Sequence, residues 1–204
     1  MSPMVAVIKR AMDLGISIIA MIVFLPLFVI IPVVIRQDSE GPPFFVQERV
    51  GLDGRPIKMI KFRTMRQDAE KGTGPVWATD NDHRITRVGR FLRMTRLDEL
   101  PQLINVFLGE MSLVGPRPER PFFVDQLHQA IPFYEERVIS VKPGITGLAQ
   151  INEEYDTSID SVRQKLLYDH AYGASLTRFK SFLITDMTIL GKTIQTVVTG
   201  KGAH

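Results

Sequence analysis

An uncharged run of 22 residues, Leu14 to Ile35 (LGISIIAMIVFLPLFVIIPVVI), constrains this chain more than any other feature. As a helix it extends about 33 Å, enough to cross a hydrocarbon core of about 30 Å. Lys9 and Arg10 precede it and Arg36 closes it. A cleaved signal peptide has a shorter apolar core followed by a small-residue cleavage pattern, and neither is present. Pro26 sits near the middle, where it removes a backbone hydrogen bond and breaks the helical line. Basic residues at both ends give the positive-inside rule little to act on and allow both ends to stay on one face. Two arrangements fit: a re-entrant helix broken at Pro26, which enters and leaves on the same side, and a kinked span. A buried core helix is a third, poorly suited to a stretch this long and pure.

At 204 residues the chain holds one modest domain plus such an anchor. Its 13 prolines and 15 glycines, with 45% hydrophobic residues, indicate an ordered body rich in loops. There is no cysteine, which excludes a disulfide scaffold, a thiolate zinc site and a cysteine nucleophile. Net charge is only +3, but the basic residues are clustered, so their placement matters more than their sum.

After Asp38 the pattern changes. Phe44–Val50 and Ile57–Phe62 read as strands around an Asp53-Gly54 turn. Residues 66–82 are polar and read as an exposed loop around Trp77, a surface excursion rather than a cover for substrate. From Arg84 to Arg96, five arginines recur every third residue with no acid among them. On one helix that spacing drifts around the axis, so some face lipid headgroups or water and others face inward.

Leu97-Asp98-Glu99-Leu100-Pro101-Gln102-Leu103 follows. Pro101 disfavours helix at Leu100 and suits the first turn of a new helix, PQLINVFLGEM. Asp98 and Glu99 thus stand at a junction near the positive end of that helix. Adjacent carboxylates diverge, so one can attack while the other holds a metal; an ordinary charged helix start has the same composition. Gly115-Pro116-Arg117-Pro118 fixes an arginine between prolines, and Lys142-Pro143-Gly144-Ile145-Thr146-Gly147 brings a lysine into a glycine-containing turn. Either is by itself an ordinary turn. Together with the acidic pair, Lys61, Arg63, Arg93, Arg96, Arg117 and Lys142 form a set suited to a diphosphate. Ser158–Val198 reads as two helices, Ser161–Tyr172 and an amphipathic Phe179–Val198 that is too polar for a second span. His83, His128, His170 and His204 are scattered and read as structural or solvated.

Several segments, in this order, carry a resemblance. They are Lys9-Arg10 before the apolar helix, Phe45-x-Gln47-x-Arg49-x-Gly51, Lys61-Phe62-Arg63-Thr64-Met65 and Gly89-Arg90-Phe91-Leu92-Arg93. Then come Leu97 to Leu103, Met111-Ser112, Gly115 to Pro118, and Lys142 to Gln150. The chain resembles the bacterial sugar transferase family, the monotopic phosphoglycosyl transferases, over residues 8–198. The resemblance implies an α+β, mostly helical fold with a re-entrant helix broken at Pro26, interfacial amphipathic helices and a small β-hairpin region. It divides the chain into a membrane anchor, 1–37, and a catalytic domain, 38–204, at the cytoplasmic face of the bacterial inner membrane. It implies a ping-pong transfer of a sugar 1-phosphate from a UDP-sugar to polyprenyl (undecaprenyl) phosphate, with UMP released and Asp98 as nucleophile. Mg²⁺ would be held by Glu99 and Asp98, while Gly144, Thr146, Gly147 and Gln150 would serve the nucleotide or sugar. Membrane lipids are partners, no nucleic acid is, and a homodimer is left open.

Two departures stand out. Relatives often carry Ser-Pro at the helix break, where this chain has Leu25-Pro26, so a hydroxyl that could satisfy freed backbone groups is missing. Many continue Gln150-Ile151-Asn152 with glycine, where this chain has Glu153-Glu154-Tyr155. The short N-terminus suits a minimal catalytic form without additional spanning helices. Two rivals remain: a non-catalytic binder of anionic lipid, and an inverting sugar transferase that releases UDP.

Overall fold

The computed structural model describes residues 1–72, 74, 76, 82–153 and 159–199. Trp77, Glu154 and Tyr155 lie outside the described residues. Among the described residues the architecture is mostly helical, with two small two-stranded sheets.

Helix α1 (Pro3–Val23) starts well before the apolar run, with Ser2 accepting the Val5 N–H and proline in the first turn. Its buried residues are Val5, Lys9, Asp13 and Ser17, a stripe at four-residue spacing and therefore one face. The opposite arrangement holds outside, where Ile18, Ile19, Ile22 and Val23 are exposed. The helix hides its charges and shows its aliphatics. It ends at Phe24, and α2 (Leu25–Asp38) leaves at 61° to it. Pro26 occupies the first turn of α2, so the missing N–H falls where a helix has no acceptor to offer anyway. Leu25 cannot cap that turn. The Phe24 carbonyl does so instead, accepting from Leu27 N–H at 2.9 Å and Phe28 N–H at 3.3 Å. No single helix among the described residues is long and apolar enough to cross a membrane; the bent pair carries the apolar run.

Strands β1 (Phe44–Val50) and β2 (Pro56–Phe62) pair antiparallel as the pattern predicts, from Phe44↔Phe62 to Val50↔Pro56. Asp53 at φ 53° turns the chain between them. The arginine-rich helix is shorter than its spacing suggests. Helix α3 runs only Arg87–Met94, capped by Thr86, and holds three of the five arginines. Arg84 lies before it, paired with Asp82, and Arg96 beyond it at φ 57°. Arg87, Arg90, Phe91 and Met94 form its exposed face, and Leu92 packs with Phe62, Ile31 and Ile35 of α2. Helix α4 (Gln102–Leu108) stops at Gly109 in the left-handed region, before the predicted Met111.

Of the two segments read as turns, 115–118 is a loop and the second contributes a strand. β3 (Ser112–Val114) runs parallel to β4 (Gly144–Thr146). Their backbones meet closely: a Cβ on Gly144 would lie 2.1 Å from the Gly115 nitrogen, and one on Gly147 2.2 Å from the Gly115 carbonyl oxygen. Glycine here serves backbone packing. α5 (Pro121–Ala130), which the sequence reading missed, packs through Phe123, Val124 and Leu127 on Val162 and Leu166 of α6 (Ile159–Ser175). α7 (Phe179–Thr199) buries Phe182, Asp186 and Ile189 in the main core and exposes Ile184, Met187 and Ile194.

Polar contacts of α1 join these parts. Lys9 Nζ donates to Asp186 Oδ2 at 2.7 Å, and Asp186 also meets the Tyr172 hydroxyl at 3.0 Å. Asp13 Oδ1 accepts from Ser112 Oγ and the Leu113 N–H, both at 3.0 Å, at the start of β3. Arg10 donates to the carbonyls of Val106 and Phe107 at the end of α4. Removing one member of a buried ion pair strands the other charge, at about 3–5 kcal/mol. Lys9→Met is therefore expected to lower the unfolding free energy by that order, measured by denaturant titration in detergent, and Lys9→Met/Asp186→Leu to recover most of it. Equal stability of parent and single variant would refute the pairing.

Candidate active site

Three elements converge on one acidic pair. After α3, Arg96 adopts a left-handed conformation and redirects the chain into a 3₁₀ turn, Leu97–Glu99. Leu100 and Pro101 keep right-handed helical angles, so the turn continues into α4. Asp98 and Glu99 are each only 8% exposed. The turn is fixed to the hairpin through Asn105, fully buried on α4: its Oδ1 accepts the Ile60 N–H at 3.1 Å, and its Nδ2 donates to the Lys58 carbonyl at 2.8 Å. Along β2, Ile57, Met59 and Lys61 share the inward face by strand alternation. A lysine on that face needs a partner, and Lys61 Nζ lies 2.7 Å from Glu99 Oε1.

Arg117 approaches the same oxygen, with both terminal nitrogens at 3.3 Å. Two other arginines hold its loop. Arg49 on β1 donates to the Pro118 carbonyl at 3.2 Å and pairs with Glu119, and Val50 N–H bonds the Glu119 carbonyl at 2.8 Å. Arg137, ion-paired to Asp169 at 2.8 Å, donates to the Arg117 carbonyl at 2.8 Å. Burial pushes Arg49 down to about 10. Arg49 stood in a motif read from sequence; the roles of Asn105 and Arg137 carried no signal there, because their partners are 45 and 32 residues away in sequence.

The surroundings split the two carboxyls. Burial pushes Asp98 up to about 6; Lys61 opposes that and Glu99 adds to it. Burial also acts upward on Glu99, but Lys61 and Arg117 outweigh it and hold it well below the usual carboxylate range. Arg93 acts on Asp98 and Arg96 on Glu99 electrostatically. Lys61, Arg93, Arg96 and Arg117 thus gather at the dyad, as the sequence suggested.

The other named residues do not. Arg63 spends its guanidinium on the end of α2, donating to the carbonyls of Ser39 and Glu40. Lys142 lies by Arg10 and Asp13, which influence its charge. The Gly144 N–H is bound to the Pro116 carbonyl, Thr146 Oγ1 meets Thr193 Oγ1 at 2.8 Å, and Gly147 packs on Gly115. The two glycines serve the close approach beside β3 and β4, and the Thr146 hydroxyl meets α7, arrangements that sequence spacing could not distinguish from an anion-binding turn. Gln150 lines a cavity behind Arg117, together with Tyr134, Arg137, Lys165 and Asp169.

Among the described residues, no group of three or more His, Cys, Asp or Glu could hold a metal ion. The donors available are the two carboxylates of the dyad. That set suits Mg²⁺, which takes one or two carboxylates and completes its octahedron with water and substrate phosphate.

The raised Asp98 has a consequence for stability. Its folded pKa lies above the unfolded one, so the unfolded chain loses its proton first as pH rises and stability falls between about pH 4 and 6. Asp98→Asn escapes this loss. In chelated buffer the variant is expected to match the parent at pH 4 and to melt at a higher temperature at pH 7, followed by thermal unfolding. A parent at least as stable at pH 7 would contradict the raised value.

Comparison with known proteins agrees with this geometry. The family model described as bacterial sugar transferase matches residues 4–200. The chain is 46% identical over 203 residues to a UDP-N-acetylgalactosamine-undecaprenyl-phosphate N-acetylgalactosaminephosphotransferase of Aeromonas hydrophila, covering 100% of this chain and 46% of that protein. It is 47% identical over 131 residues to a putative undecaprenyl-phosphate N-acetylgalactosaminyl 1-phosphate transferase of Bacillus subtilis, covering 64% of this chain and 73% of that one. A UDP-glucose:undecaprenyl-phosphate glucose-1-phosphate transferase of Klebsiella pneumoniae is 44% identical over 169 residues, covering 81% of this chain and 36% of its own length. With nearly its whole length matched and its acidic pair set among phosphate-compatible cations, the chain belongs to the bacterial sugar transferase family.

Proposed function

We propose that this chain transfers a sugar 1-phosphate from a UDP-sugar to undecaprenyl phosphate through a covalent intermediate on Asp98. The observation that carries this reading is the pair itself: two adjacent buried carboxyls, one held ionised by Lys61 and Arg117, the other making no ion pair among the described residues. In the first half-reaction an Asp98 carboxylate oxygen forms a bond to the β-phosphorus. The bond from that phosphorus to the oxygen bridging the α-phosphorus breaks, and UMP leaves with the oxygen and its electron pair. In the second, a phosphate oxygen of undecaprenyl phosphate bonds to the same phosphorus, and the Asp98–phosphorus bond breaks with its electrons returning to the carboxylate.

Lys61 and Arg117 keep Glu99 charged and in place, and Arg117, Arg93 and Arg96 surround the developing phosphoryl charge. Mg²⁺, held by Asp98 and Glu99, would neutralise diphosphate charge as a Lewis acid.

The bent pair α1–α2 is the anchor in this reading, a re-entrant hairpin on the cytoplasmic face of the inner membrane. Its support is the inverted burial of α1, with Lys9 and Asp13 inside and the aliphatic residues outside, which suits a helix whose outer surface meets lipid. A homodimer is compatible with the reading and not required by it.

Mass spectrometry of the chain after exposure to UDP-sugars with Mg²⁺ is expected to show a phosphosugar adduct on Asp98, with UMP as the released nucleotide. Asp98→Asn is expected to lose both, and chelation of Mg²⁺ to suppress both. UDP as the product, or UMP release undiminished in Asp98→Asn, would overturn the proposal.

A further inference from the structure

The inward face of the β1–β2 hairpin ends in a residue without a task. Directly opposed residues of an antiparallel pair project to the same side of the sheet, with Cβ atoms about 5 Å apart. Arg49, Gln47 and Phe45 stand opposite Ile57, Met59 and Lys61, so all six belong to the face that carries Lys61 to the dyad. Two of the three on β1 are engaged. Arg49 grips the Pro118 carbonyl, and the Gln47 amide oxygen accepts from the Arg49 guanidinium at 2.5 Å. Phe45 is 44% exposed. Its ring stands beside the stem of Lys61, whose ammonium lies 2.7 Å from Glu99 Oε1.

Phe45 is also the middle of an apolar strip. Phe44, Phe45 and Val46 are all exposed at the start of β1. Phe44 stacks on Phe62 with ring centroids 5.3 Å apart, and Phe62 meets Phe28 of α2 at 5.9 Å. The strip thereby joins α2, on which Val29, Ile30, Val33 and Val34 are exposed, to the cross-strand partner of Lys61. A run of exposed apolar residues continuous with such a surface marks a place where something apolar binds.

The two ends of the strip differ in chemistry. One end meets the apolar helix, and the other meets Lys61, beyond which Arg93, Arg96 and Arg117 act on the acidic pair. That polarity fits an amphiphile with a phosphate head and a hydrocarbon tail. A nucleobase needs polar groups to fix its edge, and the polar side chains beside Phe45 on this strand face, Gln47 and Arg49, are bonded to each other. We propose that Phe44, Phe45 and Val46 form the acceptor subsite. The isoprenoid units nearest the phosphate of undecaprenyl phosphate lie across the strip, with Phe45 as the contact beside Lys61, and the rest of the tail follows α2. The phosphate enters among the cations of the dyad. Such a contact holds the acceptor and not the donor, so it acts in the second half-reaction alone. The inference rests on the transfer through Asp98 to undecaprenyl phosphate proposed above.

The test uses the whole chain in detergent and compares the parent with Phe45→Ser, which removes the apolar contact, and Phe45→Leu, which keeps it. Phe45→Ser is expected to raise KM for undecaprenyl phosphate by about 10-fold, the order lost with one phenylalanine contact. Its KM for the UDP-sugar and its rate of adduct formation on Asp98 should match the parent. Phe45→Leu should stay within about two-fold of the parent throughout, because a hydrocarbon tail asks for apolar area and not for a ring. A parent-like KM for undecaprenyl phosphate in Phe45→Ser overturns the inference, even if the variant binds vesicles less well, since the strip would then meet only bulk lipid. A raised KM for the UDP-sugar in both variants also overturns it, because Phe45 would then stack on the base. If the parent forms no adduct on Asp98, the reading beneath the inference fails and takes it along. If the adduct forms and Phe45→Ser uses the acceptor as the parent does, only the present inference fails.

Discussion

The polar stripe of α1 is the constraint on which the rest of the molecule depends. Lys9, Asp13 and Ser17 lie inward on a helix whose outer surface is aliphatic. Buried charges require partners, and the partners come from separated parts of the chain: Asp186 of α7, and Ser112 and Leu113 of β3. Through those bonds the first helix determines where β3 lies. β3 leads directly into Gly115-Pro116-Arg117, and Arg117 reaches Glu99. A path of contacts thus runs from the apolar segment to the acidic pair in a few steps.

Around the pair, positive groups act in two ways. Lys61 and Arg117 contact Glu99 directly and keep it ionised in a buried place. Arg49 and Arg137 touch neither carboxyl; they grip the backbone of the loop that presents Arg117. The loop's prolines reduce its freedom, and the two guanidiniums fix what freedom is left. A cation held this firmly loses little entropy when it meets an anion, which is the property a phosphoryl transfer site needs.

Burial has opposite effects on two neighbours in sequence. Glu99 sits against two cations and stays charged, whereas Asp98 has weaker compensation and is pushed up to about 6. One backbone turn therefore carries both a fixed anion and a group whose charge is costly, a division of roles set by position. The 3₁₀ turn after Arg96 produces it by pointing the adjacent side chains at different surroundings.

Sequence alone determined the features that local chemistry encodes. The Asp53-Gly54 turn has one hairpin solution, Pro26 must begin or break a helix, and Pro101 must open one; each appears where it was expected. The motif order also singled out the acidic pair, and four of the six cations named with it, Lys61, Arg93, Arg96 and Arg117, act on that pair electrostatically in the fold. Only the tertiary structure decided where long-range partners meet. It assigned Arg63 to the end of α2, Lys142 to the surroundings of Arg10, and the glycines at 144 and 147 to a parallel strand contact. It also revealed that Lys9 and Asp13, beside the apolar run, face inward, while Arg36 stays exposed. A lysine, an arginine or a glycine has the same composition whether it serves substrate or backbone. The difference lies in what stands opposite, and that is fixed by residues far away in the chain.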